Sequence, residues 1–175
     1  MCYLRETKKL ALTLEAGDLL VVKWWVDASF AVHKDIRSHT GGTLSLGKGA
    51  VYSTSVRQKL VTKSSTEAEL VVAVDDVMPM ILWTRQFLEG QGYEIKDNIV
   101  YQDNQSAMLL EKNGQRSSTK RTRHLNIRYF FVTDRIRAKQ LTVEYCPTGD
   151  MWADVFTKPL QGAAFVKFRK LILNL

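Results

Sequence analysis

The sequence predicts a mixed α/β domain, a central sheet covered by helices, and three observations carry that expectation. Strand-like and helix-like segments follow one another in the order three strands, helix, strand, helix, helix, strand, helix. Two aspartates, Asp27 and Asp103, close apolar, β-rich runs, as expected of acids at the carboxyl ends of buried strands. The composition, 175 residues with 45% hydrophobic and 25% charged side chains but only ten Gly and three Pro, is that of one globular domain with a substantial core.

Residues 1–18 precede the first strong strand pattern and end in the turn-like Ala16-Gly17-Asp18, so they read as the tail of an upstream segment, with the domain proper at 19–175. A long strand is expected over 19–30. Gly41-Gly42 and Gly47-Lys48-Gly49 bracket a short second strand at 43–46, and 50–55 reads as a third, giving an antiparallel meander. Trp24 and Trp25 alternate across the first strand, which places one in the core and leaves the other exposed or covering the upstream segment.

Ser64, Ser65 and Thr66 are candidate helix caps, with Glu67 and Glu69 in the first turn where acids favour the helix dipole. Pro79 falls inside the helical pattern and should kink or divide it before Gly90-Gln91-Gly92 ends it. A fourth strand is expected over 97–102, then a short helix over 104–112 stopped by Asn113-Gly114. After a polar loop, Leu125, Tyr129, Val132 and Ile136 mark one apolar stripe of a helix over 121–139. A fifth strand over 141–145, a turn at Pro147 and a final helix from Met151, interrupted near Pro159, complete the chain.

Composition narrows the function classes. The apolar runs are too short for a membrane span of roughly 20 residues. Cys2 and Cys146 lack the spacing of a disulfide framework or a zinc cluster, which suits a reducing intracellular setting. The net charge of +7 is compatible with a polyanionic partner, and its distribution says more than its total. Between Lys112 and Lys139 every charged residue except Asp134 is basic, which makes this segment a candidate phosphate-binding surface with Arg121, Arg128 and Arg135 beside the apolar stripe. Long Arg stems lying along a core edge are the alternative reading.

The acids carry the chemistry. Asp27, Glu67 or Glu69, Asp103 and Asp154 stand at strand ends and helix starts, amid enough apolar sequence that ionised carboxylates there need a partner, and a divalent cation can satisfy several at once. Glu67 and Glu69 lie roughly 200° apart around a helix, so only one of them can face such a cation, and periodicity leaves both open. His33, His39 and His124 have no partner at ligand spacing and read as surface or capping residues, while Tyr129, Phe130 and Phe131 read as packing.

The motifs VDASF around Asp27, SSTEAELVVAV, YQDNQSA around Asp103, KRTRHLNIRYFFV and ADVFTKPL around Asp154 together closely resemble the ribonuclease H domain of Ty1/copia-type LTR retrotransposons. The opening YLRETKKLALTL is similar to the end of the reverse transcriptase that precedes this domain in the polyprotein. The resemblance covers nearly the whole chain, and the order and spacing of the motifs make it specific.

It implies an RNase H-like fold, a five-stranded mixed sheet whose first three strands are antiparallel, and an acidic site for two Mg2+ or Mn2+ ions made by Asp27, Glu69, Asp103 and Asp154. Glu69 is preferred over Glu67 because Ala68-Glu69-Leu70 is similar to the glutamate-leucine pair of relatives. On this likeness Asp27 bridges the two ions, Glu69 and Asp103 hold one and Asp154 the other. The implied activity is cleavage of the RNA strand of RNA/DNA hybrids, with Ala28, Ser29, Asn104 and Gln105 near successive 2′-hydroxyls. The upstream reverse transcriptase would be a partner in the same polyprotein, in the cytoplasm within a virus-like particle.

Two departures stand out. The short segment from Tyr145 to Asp150 lacks the loop histidine of many relatives, and Phe130 stands where copia relatives often carry a second histidine, leaving His124 alone. Of the rivals, an integrase or transposase core would order its acids Asp, Asp, then a late Glu, unlike this chain. A non-catalytic module that binds nucleic acid or braces a polymerase is the alternative from another class.

Overall fold

The computed structural model describes residues 2–18, 20–113 and 126–175. Five strands form one sheet in the order β3-β2-β1-β4-β5, where β1 is Val21–Ser29, β2 His39–Ser45, β3 Tyr52–Arg57, β4 Asp97–Gln102 and β5 Thr142–Tyr145. The first three are antiparallel neighbours, β4 runs parallel to β1, and β5 runs parallel to β4. The mixed sheet expected from the sequence is present. Its parallel pairs are those whose strands are joined through helices, as a crossover requires.

β1 is central because both of its faces are apolar. Val22, Trp24 and Val26 enter the main core with Leu44, Met78, Ile81, Val100, Val132 and Val143, beneath the long helices. Trp25 points the other way, into a smaller cluster with Cys146, Met151 and Ala153, where its ring stacks on Trp152 at 4.3 Å between centroids and 4° between planes. The expectation that the second tryptophan would be exposed or cover the upstream segment is therefore corrected. The segment leading into the helix that starts at Asp154 covers Trp25, and the main core covers Trp24, so both are buried.

Helix α1 is Cys2–Thr7. Helix α2, Ser65–Val71, continues through a π-helical stretch, Val72–Val77, into α3, Met78–Gly90. Pro79 stands in the first turn of α3, where a missing N–H interrupts no bond within that helix, so it divides the pattern at a junction. Helix α4 is Gln105–Asn113 and α5 is Asn126–Arg137, with Val132 buried and Ile136 packed against the core from the expected stripe. Leu125 lies outside the described residues, as does the side chain of Tyr129. Two helices close the chain, α6 at Asp154–Thr157 and α7 at Gly162–Leu173.

Gly41 and Gly42 do not bracket the second strand but lie within it. A Cβ on Gly41 would stand 2.6 Å from Thr157 Cγ2 and 2.8 Å from the Ala153 carbonyl oxygen, so α6 rests directly on the strand backbone. Glycine is what a strand needs where another backbone approaches this closely.

The early residues are bonded to later parts of the chain. Glu15–Ala16 pairs with Gly47–Lys48 in a two-stranded ribbon, and the Thr13 N–H donates to the Leu173 carbonyl at 3.0 Å. Among the described residues no helix is long and apolar enough to cross a membrane.

Candidate metal centre

The sheet topology brings the acids together. Asp27 lies near the carboxyl end of β1, opposite Gly41, and Asp103 directly follows β4, the parallel neighbour of β1. Parallel neighbours deliver their carboxyl ends to the same edge. Helix α2 crosses that edge and presents Glu69, whose Oε1 accepts from the Ala28 N–H at 3.2 Å. One oxygen each from Asp27, Glu69 and Asp103 lie within 4.8 Å of one another.

Asp27 and Glu69 are buried, at 2% and 4% exposure. Burial, then the charges of Asp27 and Asp103, holds the Glu69 carboxyl well above the usual carboxylate range. Its Oε2 is buried with no hydrogen-bond partner. Three carboxylates brought this close, one of them with a buried oxygen that makes no hydrogen bond, are what a divalent cation would complete, so this donor set fits a hard oxygen-seeking ion such as Mg2+ or Mn2+.

Glu67 is engaged elsewhere. Its backbone N–H donates to Ser64 Oγ at 3.2 Å, and its carboxylate accepts from the Lys63 N–H at 2.6 Å, a variant of the capping box that starts α2.

Asp154 stands beside the three-carboxylate group. It opens α6, and its Oδ1 accepts from Lys158 Nζ at 2.7 Å, while the same ammonium lies 3.5 Å from Asp27 Oδ2. Burial pushes the Asp154 carboxyl up to about 6, against the pull of Lys158. For Lys158 burial acts downward, and the hydrogen bond to Asp154 with the charge of Asp27 outweighs it, so its pKa is raised. The Thr157 hydroxyl donates to Asp27, and Thr148 Oγ1 donates to Asp103 Oδ2 at 3.0 Å.

Thr148, Thr157 and Lys158 escaped the reading of the sequence. A signal was there for two of them, since positions three and four after Asp154 share its face of a helical turn. Thr148 lies in the segment that lacks the loop histidine, and only the fold brings it to Asp103.

The candidate nucleic-acid contacts are placed unequally. The Ala28 N–H is bonded to Glu69, Ser29 Oγ donates to the Thr157 carbonyl at 2.9 Å, and Asn104 Oδ1 accepts from the Ala107 N–H at 3.1 Å as the cap of α4. Gln105, next along, is exposed. Arg135 donates to Gln140 Oε1 at 3.0 Å and lies 5.0 Å from the centre of the Phe131 ring, the arrangement of an arginine covering a core edge. Arg121 and His124 lie outside the described residues, and so does the side chain of Arg128.

His33 and His39 are hydrogen-bonded to each other at 3.0 Å. Phe130 packs against the small cluster of Leu70 and Leu110.

This architecture is shared with solved enzymes. The chain is similar to LC11-RNase H1, isolated from compost by a metagenomic approach, with a TM-score of 0.53 and 11% identity over 78% of this chain and 91% of that one. It is likewise similar to LC11-RNase H1 in complex with an RNA/DNA hybrid, with a TM-score of 0.55 and 12% identity over 77% of this chain and 92% of that one. The fold is RNase H-like.

By sequence the chain is 33% identical over 171 residues to the retrovirus-related Pol polyprotein from transposon TNT 1-94 of Nicotiana tabacum. It is 32% and 31% identical over 172 residues to those from transposons RE1 and RE2 of Arabidopsis thaliana. It belongs with these retrovirus-related Pol polyproteins of transposons, as its motifs imply. Each match covers 97% of this chain but only 12% or 13% of the relative's length. No protein-family model matches it.

Proposed function

We propose that this domain is a metal-dependent endonuclease that hydrolyses the RNA strand of RNA/DNA hybrids during retrotransposon reverse transcription. The observation that carries the reading is the meeting of Asp27, Glu69 and Asp103, from three separate segments, within 4.8 Å at the carboxyl edge of the sheet. The hybrid-bound LC11-RNase H1 supports the substrate class, and the Pol relatives support the setting.

Divalent ions, two on this reading and either Mg2+ or Mn2+, supply when bound an activated water and charge support for the departing 3′ oxygen. Glu69, Asp103 and Asp27 would hold the first, and Asp154 with Asp27 would hold the second. Thr148 and Thr157 fix the carboxylates of Asp103 and Asp27 through their hydroxyls, the outer support that such ligands need. Gln105, exposed one residue beyond the cap of α4, and the backbone at Ala28 and Ser29 lie beside the acids, where 2′-hydroxyls would be read. Asn104 serves through its remaining amide. Arg121 and Arg128 contribute phosphate contacts.

Residues 1–18 are the end of an upstream reverse transcriptase segment on this reading, and that polymerase is the partner in the same polyprotein. The setting is the cytoplasm, within a virus-like particle.

A labelled RNA/DNA hybrid incubated with Mg2+ or Mn2+ tests the proposal. The Asp103→Asn variant should lose at least about a hundredfold in cleavage rate. Undiminished cleavage by that variant would sink the assignment, and metal-independent binding with no cleavage by the native chain would favour the non-catalytic module.

A further inference from the structure

The Asp154 side of the centre already holds a cation. Lys158 Nζ sits 2.7 Å from Asp154 Oδ1 and 3.5 Å from Asp27 Oδ2, with the lysine side chain two-thirds buried at 35% exposure. The other side differs, for Glu69 Oε2 is buried with no hydrogen-bond partner, and among the described residues neither Glu69 nor Asp103 is in a salt bridge. One side of the acidic group thus lacks a counter-charge, and the other has one built in.

We propose that Lys158 is a tethered competitor for the second divalent ion, occupying the space between Asp27 and Asp154 until that ion displaces it. The inference rests on the metal-centre reading above. It follows from the turn, since Lys158 is the residue that ends α6 and its backbone N–H donates to the Asp154 carbonyl at 2.9 Å, which keeps the side chain within reach of both carboxylates and free to leave them without unfolding. The flexible four-carbon stem lets the ammonium swing toward solvent, or toward a phosphate, when the carboxylates take up another cation. The first ion would therefore bind without rearrangement, and the second would bind more weakly because it must expel Lys158. Occupancy of the second position becomes the step at which ion concentration regulates this centre.

Linkage makes the competition measurable without turnover. Calorimetric titration of Mn2+ into the protein alone should show one stronger and one weaker event. In Lys158→Met the weaker event should tighten by about tenfold or more, and in Lys158→Arg, which keeps the charge, it should not. Thermal melts in chelator give an independent readout. Lys158→Met should melt lower than the native chain there, because Asp27 and Asp154 lose their counter-charge, and should recover more on adding Mn2+.

Unchanged or weakened second-ion affinity in Lys158→Met, with the first event intact, overturns this inference and leaves the metal-centre reading standing. Absence of any Mn2+ binding in the native chain and in Lys158→Met overturns both. Equal tightening in Lys158→Met and Lys158→Arg overturns the competition, since the effect would then come from side-chain shape rather than charge.

Discussion

Gly41 lies directly beneath Thr157, so close that a methyl group on its Cα would stand 2.6 Å from Thr157 Cγ2. Thr157 in turn donates its hydroxyl to Asp27, which pairs with Gly41 across the strands. The absence of a side chain at one position thus sets the distance between the two segments that carry Asp27 and Asp154. Gly41→Ala should cost about 1–3 kcal/mol by overpacking, read from urea unfolding. Hybrid cleavage should fall by more than that loss explains at temperatures where the variant is fully folded, because α6 is lifted along with Asp154. Native-like cleavage in a stable Gly41→Ala would contradict the close seating.

Thr148 supplies the one side-chain hydrogen bond to Asp103 found among the described residues. Thr148→Val keeps the shape and removes the donor. Half-maximal cleavage should then need about 10-fold more Mg2+, with the melting temperature little changed, since outer-shell partners tune ligand affinity more than fold stability. A metal dependence identical to the native curve would show that Asp103 needs no such support.

Arg135 separates the two readings of the basic segment. Its hydrogen bond to Gln140 and its place over Phe131 predict that Arg135→Ala loses about 1–2 kcal/mol of stability. Hybrid affinity and its dependence on salt should stay close to native, within about twofold, in contrast to a residue that neutralises a phosphate. A clear reduction of the salt slope in filter binding would return Arg135 to the nucleic-acid surface.

Glu111, which is not one of the clustered acids, gives a pH signature of its own. Burial pushes its carboxyl up from 4.5 to about 8, so between those values the folded chain keeps a proton that the unfolded chain releases. Stability therefore falls as pH rises through that window and flattens above it, by an amount on the order of a few kcal/mol. Glu111→Met should remove most of this slope and unfold later than the native chain at pH 8, because Glu111 Oε1 is buried without a partner. Parallel denaturation curves for the two proteins across pH 4.5 to 8 would refute it.

The sheet was legible where local chemistry repeats. Asp97–Gln102 matches its expected bounds because a β-rich run ends at a cap and an acid, and β1 differs by a residue or two at its ends. β2 was misjudged because glycine is read locally as a breaker, whereas Gly41 and Gly42 are demanded by α6 and Val77, which lie far away in sequence. The same limit hid the second tryptophan, buried by Trp152 more than a hundred residues later. Glu67 and Glu69 could not be separated by periodicity, since the difference lies in what α2 faces: Lys63 and Ser64 for one, Ala28 and the aspartates for the other. Lys158 stood in plain view four residues after Asp154, but its reach to Asp27 depends on where α6 docks.

The stacked pair of Trp25 and Trp152 makes the centre optically visible. Trp25 precedes Asp27 by two residues and Trp152 precedes Asp154 by two, so the indoles ride on the two backbones whose separation fixes the acidic site. Rings 4.3 Å apart and nearly parallel couple their electronic transitions, and the resulting contribution to circular dichroism is lost when the rings part. Metal, hybrid or mutation that shifts α6 against the sheet should therefore be readable as light from the unlabelled chain, in real time and without waiting for a strand to be cut.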